Sequence, residues 1–147
     1  EADPILRNSY KRDDDDIYGD FKRKQKNNIH YSNSIELVLT NSFFLNETVQ
    51  GKFDLIWVDG HHGIPYVVVD ITNSVRLLSK EGLIMCDDVY LKCKNDYSPY
   101  KSSGTYQLLE ILQQNHIVEY KLFYKRLSAN YNAIPSKRKF IGLAKIK

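Results

Sequence analysis

Residues 53–90 read FDLIWVDGHHGIPYVVVDITNSVRLLSKEGLIMCDDVY. Asp54–Val58 is a short apolar run ending in Asp59-Gly60. A run of that length bounded by turn residues suits a strand buried on both faces. Pro65 suits the first turn of a helix, where its missing N–H costs nothing. Val67, Val68, Ile71, Val75 and Leu78 then recur at helical spacing and form one apolar stripe. Lys80-Glu81-Gly82 is expected to stop that helix, and Leu83–Cys86 is a second buried run ending in Asp87-Asp88. Two buried strands joined by a helix make a parallel, right-handed βαβ unit. Trp57 is expected to be largely buried in the first of them.

The acids fall where such a sheet binds ligands. Asp59 and Asp87-Asp88 stand at the carboxyl ends of the two strands, and open parallel sheets bind in the crevice beyond those ends. Neighbouring strands lie roughly 5 Å apart, so three carboxylates would crowd one small space. Hard oxygen donors at that density suit Mg²⁺ or Ca²⁺. The competing reading is that acids after strands cap loops or helices.

The stretch resembles the C-terminal half of class I S-adenosylmethionine-dependent methyltransferases. Asp59, Gly60, His62, Asp70, Leu77-Leu78, Gly82, Asp87 and Asp88 follow that pattern in order. The resemblance implies a Rossmann-like α/β sheet, mostly parallel and doubly wound, with an antiparallel C-terminal strand. It implies S-adenosylmethionine as cofactor and methyl transfer to a hydroxyl of a small molecule or sugar. Catechol-type and caffeoyl-coenzyme-A-type O-methyltransferases resemble the same layout. Their metal ligands fall on Asp59, Asp87 and Asp88, with Asp in place of an Asn, and Mg²⁺ is the ion expected. His62 falls on a family histidine and suits a general base, because an imidazole titrates near neutral pH; a histidine bonding backbone at a helix start is the alternative. His61-His62 with Asp59 also resembles a transition-metal set, but adjacent side chains on an extended loop point apart.

Composition sets outer limits. The 147 residues suit one domain. No apolar run approaches the roughly twenty residues that span a bilayer, so no membrane partner is expected. The first residues carry no signal-peptide pattern. The two cysteines, Cys86 and Cys93, make neither a disulfide framework nor a zinc motif, and a reducing, cytoplasmic setting is expected. The net charge of +3 does not by itself imply a nucleic-acid partner.

Around the central unit the chain divides into residues 1–52 and 91–147. Helices are expected near 4–12 and 17–26, with the Asp13–Asp16 run as a solvated loop. Ile29-His30-Tyr31 is a candidate strand, followed by a helix from about Ser34 to Thr40 with Ser34 at its N-cap. The resemblance places Asn33 and Ser34 at the turn that contacts the adenine; a helix cap alone is an equal reading. Asn41–Gly51 is a link with Phe43 and Phe44 turned inward. Leu91–Ser103 has the length and place of a substrate lid, or of a plain surface connection. A helix over 104–115 and strands over 116–126 and 139–146 resemble the antiparallel end of the methyltransferase sheet.

Two other functions compete. From Glu119 to Lys147 the chain has eight Lys/Arg and one acid, a candidate phosphate-facing patch for a nucleic-acid methyltransferase. Against it, base-amino methyltransferases carry an Asn/Asp-Pro-Pro-aromatic loop where this chain has Asp59-Gly60-His61-His62. A non-catalytic methyltransferase-like subunit is the other, because the seven glycines are scattered and form no cofactor loop. In the family that loop follows a first strand, and a second strand ends in an acid that holds the ribose. Glu1 resembles that acid. The chain is therefore expected to be a partial domain, completed by another chain or a preceding segment, with Glu1 binding ribose in the completed site.

Overall fold

The structure is a computed structural model that describes Asn27 and residues 34–93 and 97–147. The chain divides into two compact units, residues 1–39 and 40–147. The strand expected at Ile29–Tyr31, the helices expected before it, Glu1 and Asn33 lie outside the described residues. Residues 35–40, expected to be helical, are irregular after a turn at Ser34. Ile35, Val38 and Leu39 include β-branched residues that lower helix preference, and the segment is too short to offset nucleation.

Within residues 40–147 a 3₁₀ turn, Ser42–Phe44, leads into a one-turn helix α1, Leu45–Thr48. Asn41 caps the turn by accepting the Phe43 N–H. Phe43 and Phe44 are exposed rather than turned inward, with Phe43 set edge-on against the Tyr66 ring.

The central unit forms as the sequence predicts: strand β1 (Phe53–Val58), helix α2 (Tyr66–Leu77) and strand β2 (Leu78–Val89), with β1 and β2 parallel. Pro65 stands at the N-cap, one residue before the helix. Lys52 Nζ donates to the Arg76 carbonyl at 2.6 Å, placing a cation at the negative end of the helix. The helix stops at Leu77, earlier than Lys80-Glu81-Gly82, and those three residues belong to β2. Phe53 pairs with Leu78 but Leu55 with Leu83, so the extra residues bulge out of the ladder. Gly82 permits this, because a Cβ there would lie 2.9 Å from the Phe53 carbonyl oxygen.

Helix α3 (Gly104–Gln114) then returns the chain to strand β3 (Val118–Tyr124). A one-turn helix α4 (Ala129–Asn132) and a 3₁₀ turn (Pro135–Lys137) lead to strand β4 (Phe140–Ile146). The strand order is β1-β2-β4-β3. β4 runs antiparallel to both β2 and β3, so the other three strands share one direction. This is the mostly parallel sheet with one antiparallel C-terminal strand that the sequence predicts.

The core lies on one face of the sheet. Val67 and Ile71 of α2 and Leu109 of α3 pack on Val58, Ile84, Cys86, Phe140 and Ala144. Burial pushes the Cys86 thiol up to about 12, so it serves as a small apolar group. Trp57, expected inside, is 49 % exposed. Strand side chains alternate: Ile56 and Val58 face the helices, whereas Phe53, Leu55 and Trp57 face the other way. No described helix of the 40–147 unit covers that second face.

Burial separates two isoleucines cleanly. Ile71 is fully buried and Ile111 is 54 % exposed. Ile71→Ala should lower unfolding free energy by about 2–5 kcal/mol, and Ile111→Ala by less than about 0.5 kcal/mol. Urea denaturation of the two variants checks this.

Candidate active site at the carboxyl ends of β1 and β2

The segment after β1 turns back on itself to bring one histidine inward and send the other out. His61 stacks on Tyr66, with ring centroids 4.4 Å apart, and its Nδ1 accepts the Gly63 N–H at 3.0 Å. His62 is buried, 7 % exposed, and its N–H donates to the Pro99 carbonyl at 3.0 Å. Gly63 is what lets the two segments touch, since a Cβ there would lie 2.6 Å from the Tyr97 carbonyl carbon. The expected lid segment is thus held against the histidine loop at Tyr97 and Pro99. Ser102 Oγ accepts the Gly104 N–H at 2.9 Å, where α3 begins.

His62 faces acids. Its Nε2 lies 3.8 Å from Asp59 Oδ1, and the Asp59 side chain is about half exposed. Burial lowers the His62 pKa below 6.5, outweighing the opposite pull of Asp88, Asp59 and Asp87. The imidazole is therefore neutral at neutral pH and has a lone pair available for a proton.

The acidic pair is arranged by a bulge. Cys86 pairs with Gly142 and Val89 with Phe140, so two residues of β2 oppose one of β4. Asp88 takes a left-handed backbone, φ 47°, which Asp tolerates better than most residues. In a regular strand adjacent carboxylates would point to opposite faces. Here both meet Lys125, whose Nζ lies 2.7 Å from Asp87 Oδ2 and 2.7 Å from Asp88 Oδ1. Lys139 Nζ reaches Asp88 Oδ2 at 2.5 Å, and the remaining oxygen, Asp87 Oδ1, accepts the Asp88 N–H at 2.8 Å. Burial pushes Asp88 up, but hydrogen bonds from both lysines more than offset it and hold the carboxyl below its ordinary 3.8. Burial works against the Lys125 charge in turn, and hydrogen bonds to Asp87 and Asp88 raise its pKa nonetheless.

The structure thus brings Asp59, His62, Asp87 and Asp88 to one end of the sheet. Ser34 belongs to the other unit, as a turn residue. Of the three expected ligands for a divalent ion, Asp87 and Asp88 are already neutralised by Lys125 and Lys139, and each of their oxygens accepts a hydrogen bond. Among the described residues no three of His, Cys, Asp or Glu come together as metal donors. Sequence reasoning missed Lys125 and Lys139. Their signal was positional, because they flank the last two strands and stand opposite each other, Lys125 N–H donating to the Lys139 carbonyl at 2.9 Å.

The sequence profile of a methyltransferase-domain family matches residues 8–89, more than half of the chain. The chain belongs to that family. Among solved structures it is similar to a Klebsiella pneumoniae protein assigned as an O-methyltransferase, with TM-score 0.63 and 14% identity over 90% of this chain and 59% of that one. It is also similar to an O-methyltransferase from Bacillus cereus in complex with SAH, with TM-score 0.51 and 13% identity over 72% of this chain and 46% of that one. A third is the O-methyltransferase TomG from Streptomyces achromogenes, in complex with SAM and involved in tomaymycin synthesis. It has TM-score 0.51 and 15% identity over 72% of this chain and 45% of that one. At these identities the likeness shows the fold, a class I methyltransferase sheet. This methyltransferase domain spans about three-fifths or less of the length of those structures. No curated protein matches it. No described helix is long and apolar enough to cross a membrane.

The His62 environment has a pH signature. NMR titration of the ring should give a midpoint below 6.5; a midpoint at or above 6.5 contradicts the burial argument. The unfolded chain then binds the proton first, so stability contributed by His62 is full above about pH 6.5 and declines as the pH falls below it. Relative to His62→Gln, the wild type should lose stability over that window.

Proposed function

We propose that this domain carries the acceptor side of S-adenosylmethionine-dependent methyl transfer to a hydroxyl of a small molecule or sugar, with His62 as general base. The observation that supports it most is a buried, neutral imidazole beside a half-exposed carboxylate at the carboxyl ends of two parallel strands. S-adenosylmethionine, when bound, supplies an electrophilic methyl whose C–S bond breaks as the acceptor's O–C bond forms, the electron pair leaving with sulfur. His62 takes the hydroxyl proton. The imidazolium that results is stabilised by Asp59. Asp59 also suits a cofactor that carries a sulfonium and an ammonium, since its exposed carboxylate attracts positive charge. Glu1 is the proposed ribose ligand, and Asn33 and Ser34 the proposed adenine contacts. No step runs through a metal ion.

The nucleic-acid reading is weakened by the partners of its basic residues. Lys125 and Lys139 are bound to Asp87 and Asp88, and Lys145 lies 3.4 Å from Glu119. Less positive charge is then left to face phosphate than the sequence count suggests.

Calorimetry of the full-length protein with S-adenosylhomocysteine tests the cofactor assignment; lack of binding would favour a non-catalytic subunit. With a panel of phenolic and sugar hydroxyl acceptors, mass spectrometry should detect a methyl ether. His62→Gln should leave S-adenosylhomocysteine affinity within about twofold and lower kcat by about 10²–10⁴. Unchanged kcat in that variant removes His62 as base.

A further inference from the structure

The ammonium groups of Lys125 and Lys139 sit on the carboxylates that the sequence pattern marks as metal ligands. Together they carry the charge of one divalent cation. They engage three of the four oxygens of Asp87 and Asp88, at 2.5–2.7 Å, and the fourth holds the Asp88 N–H. The contacts are built into the fold rather than made by chance surface side chains. The bulge turns both carboxylates to one side. The Lys125 N–H bond to the Lys139 carbonyl fixes the spacing of the two lysine backbones. Lys139 Nζ also lies 5.5 Å from the centre of the buried Tyr90 ring, a cation–π contact that holds it in place. Asp87 is withdrawn from solvent to 9 % exposure and Lys139 and Asp88 to 18 %, while Lys125 stays half-buried at 31 %. Charge pairs so placed are screened little and are costly to break on one side only.

We propose that Lys125 and Lys139 take the place of a divalent ion at Asp87 and Asp88, making this a metal-independent form of the site. A Mg²⁺ ion entering there must displace two ammonium groups that already neutralise the carboxylates, and must shed water it holds reluctantly. The lysines instead keep the two charges fixed at the end of β2, facing the His62 side of the sheet. As a statement about a reaction this rests on the methyl-transfer reading. The test reads metal binding and not methyl transfer, so the two can fail separately.

Mn²⁺ binding to the full-length protein, followed by electron paramagnetic resonance, provides that test. The wild type should take up no Mn²⁺ that Asp87→Asn abolishes. The double variant K125M/K139M should bind Mn²⁺ at least about tenfold more tightly than the wild type, and Asp88→Asn added to it should remove the gain. If the double variant does not fold, by circular dichroism, K125M alone frees one oxygen on each carboxylate and carries the same comparison. Wild-type Mn²⁺ binding that is lost in Asp87→Asn overturns the proposal, as does a folded lysine variant that gains no affinity.

Discussion

The bulge at Asp87-Asp88 is the constraint on which the arrangement of this molecule's site depends. A regular β2 would send one of the two carboxylates toward the helices and the other toward the opposite face. Burying a charge there without a partner costs several kcal/mol. One left-handed residue removes the conflict by turning both acids toward the same lysine. The same two-for-one count opens the β2–β4 ladder just before Val89 meets Phe140. It thereby sets where the last strand begins and where Lys139, one residue earlier, must stand. Ladder register, charge neutralisation and the position of the antiparallel strand are one solution.

The second element of the site, the histidine loop, is held by backbone rather than by charge. The His62 N–H reaches the Pro99 carbonyl, and Gly63 passes so close to Tyr97 that no side chain fits between. A loop fixed this way leaves the imidazole free of a hydrogen-bonding duty to the scaffold at its Nε2, apart from the acid 3.8 Å away. Burial and nearby carboxylates pull its pKa in opposite directions, and burial prevails. Neutral bases beside developing positive charge need that balance.

The 40–147 unit shows a one-sided core. Helices α2 and α3 share the face lined by Val58, Ile84 and Ala144, whereas Leu55, Trp57 and Phe123 on the other face are exposed. β1 lies at the edge of the four-stranded sheet. The comparison structures are longer than this chain, which spans 59% of the first of them. The apolar character of β1 is that of a strand suited to burial on both faces, and among the described elements of the 40–147 unit helices cover only one of them.

Sequence alone determined the parallel βαβ unit, since two short apolar runs around one helical stripe admit few other folds. It also put Asp59, His62, Asp87 and Asp88 at the carboxyl ends of β1 and β2, where the structure has them, because position along a strand is a local property. It predicted an inward Trp57 and inward Phe43 and Phe44, and there it misled: hydrophobic content says that a side chain prefers burial, not that a partner covers it. Helix α2 stopping at Leu77 was equally illegible, because a bulge depends on the neighbouring strand's register and not on local residue preference. Only the tertiary structure decided what the acidic pair holds. Lys125 and Lys139 are 37 or more positions from Asp88 along the chain, and no local pattern links them. Pairing of β4 with both β2 and β3 brings those charges together, and long-range pairing of that kind is a property of the folded sheet.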